Sequence, residues 1–132
     1  MAPNATILGD VTVGTNSSVW YGSTIIGTTP IRIGSNTIIQ DKVHISRNAT
    51  IGDNVFVGPN VILQGSTLHN RAFVSMGATV RHAIVHSGGF VAAGAVIPDN
   101  VEIKEGEIWA GNPGKFLRNI TLLEREVLKE HL

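Results

Sequence analysis

The stretch Ile33–Ile103 decides the fold, and its first part reads IGSNTIIQDKVHISRNATIGDNVFVGPNVIL over residues 33–63. An aliphatic residue returns almost every six positions: Ile33, Ile39, Ile45, Ile51, Val57, Leu63, Leu68, Val74, Val80, Val85, Val91, Ile97, Ile103. Two steps, 63 to 68 and 80 to 85, are five residues long. Two residues before each aliphatic sits a small or β-branched one: Ile31, Thr37, Val43, Ala49, Val55, Val61, Ser66, Ala72, Ala78, Ala83, Gly89, Ala95, Val101. A fixed period marks a repeat architecture, and six is the period of a parallel β-helix. Side chains spaced by two share one face of a strand. The other four residues turn a corner, so three six-residue faces close one coil of a three-sided prism. An amphipathic helix is excluded, because a period of six drifts around a 3.6-residue helix. β-Branched residues are also too frequent for one. Gly34, Gly52 and Gly58, each just after a large aliphatic, fit corner positions that tolerate φ > 0.

Working outward, Leu8, Val13, Val19 and Ile25 extend the aliphatic series backwards. The step from Ile25 to Ile33 is eight residues, which predicts a short loop bulging at Gly27-Thr28-Thr29-Pro30. The expected fold is all-β, a parallel β-helix over residues 1–106, with a turn-rich exit over 107–120 and a C-terminal α-helix over 121–132. Thr121 is a good N-cap and Glu124 follows three residues on, a capping box. Leu123, Val127 and Leu128 form one apolar stripe. A helix this short is marginal alone, so the stripe is expected to pack on the prism or on a neighbouring subunit. Trp20, Tyr21, Phe56, Ile62, Phe73, Ile84 and Phe90 point outward, which predicts a lateral interface.

The 132 residues make one domain. Cysteine is absent, which excludes disulfides and thiolate metal sites. Formal net charge is zero with scattered Lys and Arg, which argues against nucleic acid or an anionic membrane surface as main partner. No apolar run approaches the ~20 residues that cross a bilayer. No signal-peptide pattern opens the chain. The five histidines are His44, His69, His82, His86 and His131. The His82–His86 spacing would align two imidazoles on a helix, but here the segment is β-helical and the spacing has no such meaning. His69 and His86 each follow an inward aliphatic and so point outward. No Ser-His-acid spacing, P-loop or dinucleotide fingerprint occurs.

Several elements resemble the γ-class carbonic anhydrases: Ala2-Pro3-Asn4-Ala5-Thr6, Gly9-Asp10-Val11, Ser18-Val19-Trp20-Tyr21-Gly22, Ile31-Arg32-Ile33-Gly34, Ile39-Gln40-Asp41, Met76-Gly77-Ala78-Thr79-Val80, Val91-Ala92-Ala93-Gly94-Ala95 and Trp109-Ala110-Gly111-Asn112-Pro113. The Ala-Gly-Asn-Pro exit is shared with hexapeptide acyltransferases. The resemblance implies a left-handed β-helix, a trimer, and a zinc held between subunits by three histidines. His44 matches the first ligand slot. Pro59, after Gly58, matches the second, and Gln64, after Leu63, the third. Two of three ligands are therefore replaced: Pro59 offers no donor atom and Gln64 only an amide oxygen. The family's Arg-Gly-Asp run falls on Ile26-Gly27-Thr28. Gln40 and Asn112 match polar neighbours of the site, and Asp41 is expected to pair with Arg32 at the interface.

Scaffold elements kept and ligands lost resemble the inactive γ-carbonic-anhydrase-like subunits of mitochondrial respiratory complex I. The resemblance implies a non-catalytic chain without its own cofactor, with zinc only at a boundary between partner subunits. It implies homologous subunits in a heterotrimer and complex I membrane-arm subunits as partners, on the matrix side of the mitochondrial inner membrane (cytoplasmic if the chain is bacterial). The rival readings are an active zinc enzyme with a degenerate site and a hexapeptide-repeat acyltransferase. The second rival lacks a catalytic His in an extended loop.

Overall fold

The computed structural model describes residues 5–131; the side chains of residues 125 and 128–131 are outside that description. The chain winds as a left-handed parallel β-helix with one short C-terminal helix, Leu122–His131. The first face stacks Ser18–Val19, Ile38–Ile39, Phe56–Val57, Phe73–Val74, Phe90–Val91 and Glu107–Ala110. The second stacks the start of Thr24–Ile33 with His44–Ser46, Ile62–Gln64, Thr79–Arg81 and Val96–Ile97. The third stacks the end of Thr24–Ile33 with Thr50–Ile51, Thr67–Leu68, Ile84–Val85 and Glu102–Ile103. His44 lies beside Ile62, eighteen residues on, and Ile62 beside Thr79, seventeen on, because the second of these coils contains a five-residue step.

The interior is what the period demands. Ile25, Ile39, Ile45, Val57, Leu63, Val74, Val80, Val85, Val91 and Ile103 are fully buried, and so are the small partners Ala49, Ala72, Ala78 and Ala95. Where the small position is a hydroxyl residue, it ties two coils together. Thr37 Oγ1 donates to the Gly52 carbonyl at 2.8 Å and accepts from the Val55 amide at 3.3 Å. Ser23 Oγ donates to the Gln40 carbonyl at 2.7 Å and accepts from the Val43 amide at 3.1 Å. Each hydroxyl is buried and satisfied as both donor and acceptor.

Four expectations are corrected. Gly34, Gly52 and Gly58 are not at positive φ; those corner positions fall to Asn36, Asn54 and Asn60. The three glycines are required by coil stacking instead. A Cβ on Gly34 would lie 2.7 Å from the Gly52 oxygen, and one on Gly58 2.8 Å from the Met76 nitrogen. At the N-terminal end Ile7, not Leu8, is inward. Ile7 pairs with Ile25, while Leu8 pairs with Ile26 and is exposed. The bulge expected at residues 27–30 sits inside a strand, not in a separate loop: Thr24–Ile33 pairs with Thr6–Val13, but Gly9 meets Gly27 and Val11 meets Ile31, so Thr28, Thr29 and Pro30 are out of register and exposed. The exit segment holds an antiparallel hairpin, Glu107–Ala110 with Lys115–Asn119. Trp109 stands opposite Val91 and packs on the end of the core.

The capping box forms as read. The Thr121 amide donates to Glu124 Oε1 at 3.0 Å, and the Glu124 amide donates to Thr121 Oγ1 at 3.1 Å. Arg118 adds a bidentate pair to the same carboxylate, at 2.6 and 2.8 Å. These bonds, the guanidinium first, pull the Glu124 carboxyl down to about 2.

Candidate functional site

The three slots fall on two places in one chain. His44 and Gln64 both point outward on the second face, in adjacent coils. His44 stands opposite Ile62, and Gln64 opposite Ser46, so the two are diagonal neighbours. Both are half-buried. Pro59 stands on the corner between the first and second faces, stacked between the coils of Asp41 and Met76: the Asn60 amide donates to Asp41 O, and the Gly77 amide to Pro59 O. Five residues of extended chain, up to about 16 Å, separate Pro59 from Gln64. His44 and Gln64 thus share the second face, while Pro59 sits on the corner before it. Among the described residues no group of three His, Asp or Glu side chains is placed to hold a metal ion.

The family's zinc does not fit this donor set. A proline ring nitrogen inside the chain has no lone pair to give. A glutamine amide oxygen is a poor partner for zinc beside a single imidazole.

The neighbouring residues are dispersed. The Gln40 amide donates to the Val57 carbonyl at 3.0 Å, and the Gln40 carbonyl accepts from Ser23. Asn112 is exposed in the hairpin turn, at the cis peptide to Pro113. Four coils, about 19 Å, lie between Gln40 and Asn112 within one chain. Arg32 is engaged by Asp10 at 3.3 Å, not by Asp41. Asp10 lies on the strand beside Arg32, and the register shift there hides this pairing from a count by sixes. Asp41 Oδ1 is buried and has no hydrogen-bond partner among the described residues. A buried acceptor left alone is costly, and no sequence pattern marks it.

Other side chains assemble where no site was expected. His69 and His86 point outward as read and stack with ring centroids 5.2 Å apart. His86 Nε2 meets Glu102 Oε1 at 2.8 Å, and this bond, with Lys104 nearby, lowers the Glu102 carboxyl below its usual range. Phe56, Phe73 and Phe90 form an outward ladder with centroids 4.6 and 4.7 Å apart. At its end a groove of about 420 Å³ is lined by Phe90, Ile108, Arg118, Ile120, Leu123 and Val127, among others. The helix stripe thus faces the first face at Leu123 and Val127 without closing on it; Leu128 lies outside the described side chains.

This combination defines a hexapeptide-repeat scaffold. The family described as "Bacterial transferase hexapeptide (six repeats)" matches residues 30–65. The chain is 42% identical to a probable carbonic anhydrase of Methanocaldococcus jannaschii, over 99% of this chain and 86% of that protein. It is 41% identical to the mitochondrial gamma carbonic anhydrase 1 of Arabidopsis thaliana, over 92% of this chain and 48% of that one. It therefore belongs to the γ-carbonic anhydrase family, and it spans about half the length of the mitochondrial Arabidopsis relatives it matches. A crystal structure of a hexapeptide transferase family protein from Anaplasma phagocytophilum superposes with a TM-score of 0.90, at 37% identity over 98% of this chain and 83% of that one. No described helix is long and apolar enough to cross a membrane.

Proposed function

We propose that this chain is a non-catalytic γ-carbonic-anhydrase-like subunit of a trimer, with a structural role in the membrane arm of mitochondrial complex I. The observation that carries the reading is the donor set: a proline and a glutamine stand where the family places two of its three ligands, on a scaffold otherwise kept. Catalysis in the family needs a metal-bound water of lowered pKa, and one imidazole per boundary holds no tight zinc. The mitochondrial names of the Arabidopsis relatives support the compartment. Exposed Trp20, Tyr21 and Met76 on the corner of Pro59 support a subunit contact there.

The test is zinc content and CO₂ hydration of the purified chain, beside its Pro59→His/Gln64→His variant. The chain itself is expected to hold no stoichiometric zinc and to hydrate no CO₂. The variant, with three imidazoles per boundary, is expected to take up zinc. Zinc-dependent hydration by the unaltered chain, abolished in His44→Ala, would sink the reading.

A further inference from the structure

We propose that the open end of the prism, at the outer edge of Thr6–Val13, docks head-to-head on the same end of a second copy of this chain. This goes beyond the structural reading above and rests on the trimer only for which face lies outermost. The two ends of the prism differ. At one end the Gly114 amide donates to the Val96 carbonyl, the Val96 amide donates to the Gly111 carbonyl, and Lys115–Asn119 pairs with Glu107–Ala110. Trp109 packs on the core there. At the other end Thr6–Val13 pairs with Thr24–Ile33 on one side and, among the described residues, with no strand on the other.

The core runs out uncovered at that open end. Val11 and Val13 stand opposite the inward Ile31 and Ile33. Val13 is 37% exposed against 3% for Ile33, and Val11 is half-buried where Ile31 is fully buried. The backbone is open too. The Gly14 amide donates to the Ile33 carbonyl of the next coil. Peptide groups alternate in direction along a strand, so those of Val11 and Val13 point out of the end. Such an edge is a template for another strand unless charge, proline or a bulge guards it. Residues 5–19 hold no proline and one charged side chain, Asp10, which is paired with Arg32. The extra residues of the bulge lie on Thr24–Ile33, not on this edge.

Symmetry selects the occupant. A two-fold axis perpendicular to the prism turns the second chain over, so strands that meet across the junction run antiparallel and the contact is self-complementary. Head-to-tail stacking would need the opposite end, which the exit segment covers, so association stops at two. The third face lies opposite the Pro59 corner and is outermost in the trimer, and there the axis passes Thr12. Val11 then meets Val13 of the copy on both sides of the axis, and each such pair exchanges two backbone hydrogen bonds. The two exposed core ends cover each other. Stacking runs along the prism, so it leaves the lateral boundaries at His44, Pro59 and Gln64 untouched.

The experiment is sedimentation of the full chain over a range of concentrations. The mass is expected to double, from three chains to six; doubling from one to two upholds the stack and removes the trimer. A mass fixed at three chains keeps the trimer and overturns the stack. Val13→Lys puts a charge in the junction that reaches water in the unstacked unit, and should weaken doubling about tenfold or more. Thr50→Lys, exposed on the third face away from the end, should leave it within about twofold. Equal loss in both variants overturns the proposal. The chain has no cysteine, so a spin label on Thr12→Cys reports on the junction alone. Strands meet about 4.8 Å apart, so its spectrum should broaden by dipolar coupling as the mass doubles. A label on Glu105→Cys, at the covered end, should not broaden. Doubling without broadening at Thr12→Cys overturns the head-to-head contact.

Discussion

The prism and the C-terminal arm obey opposite rules. Inside the prism the aliphatic ladder from Ile25 to Ile103 is almost wholly withdrawn from water. In the arm, Leu117 is 60% exposed, Leu122 81% and Leu123 75%. Both segments are apolar, but only the prism covers its own apolar side chains. Burial stabilises by about 25 cal/mol per Å² removed from water, so stability within one chain resides in the coils. The arm holds its shape locally, through the capping box and the Arg118–Glu124 pair, and leaves these leucines exposed.

The sharpest break of this contrast is Val91→Asp. It would place an unpaired carboxylate in a dry interior, which costs several kcal/mol, and the chain is expected to lose its cooperative unfolding by circular dichroism. A soluble, cooperatively unfolding Val91→Asp protein would contradict the inward register. Val57→Asp should behave alike.

Next comes removal of the helix by ending the chain after Ile120. If Leu123 and Val127 are covered in the assembly, each contributes roughly 1.5–3 kcal/mol. Sedimentation should show self- or hetero-association weakened by about tenfold or more for each such residue, while prism melting stays near its original value. Unchanged association would mean that the arm serves only its own chain.

Thr37→Val sharpens the prism side. It preserves shape and removes both coil-bridging bonds of the hydroxyl, leaving the Val55 amide without its partner. A loss of about 1–3 kcal/mol in urea unfolding is expected.

The smallest effects belong to the arm's cap. Thr121→Ala should cost the helix about 1 kcal/mol, seen as reduced helicity with an unchanged prism. The Glu124 carboxyl titrates below its ordinary value, so its contribution is complete above about 4.5 and is lost as pH falls towards about 2. Helicity of the arm should follow that window, and Glu124→Gln should flatten it.

The interior was legible because the period is strict wherever coils stack directly. The N-terminal end is where the reading failed. Ile7 lies six residues before Val13, so the strict period points to it, and the five-residue step to Leu8 was the misreading; the two extra residues between Ile25 and Ile33 are taken up by the bulge at residues 28–30. The glycines were placed correctly but for the wrong reason: the next coil's backbone, not φ, excludes a side chain at Gly34, Gly52 and Gly58. At the site, the assignment of His44, Pro59 and Gln64 to ligand slots rests on resemblance alone. The unpartnered Asp41 oxygen and the Arg32–Asp10 pair were not legible, because both depend on which coils meet.

The most direct test counts metals in a purified trimer with one copy of this chain and two relatives that carry all three histidines. By the family's arrangement, His44 and Gln64 face one neighbour and Pro59 faces the other. Each boundary made by this chain then holds two histidines, and only the boundary between the relatives holds three. Anomalous scattering at the zinc edge, with metal-to-protein ratios, should find one tightly bound zinc per trimer. A fully occupied three-histidine site at either boundary made by this chain would contradict the account.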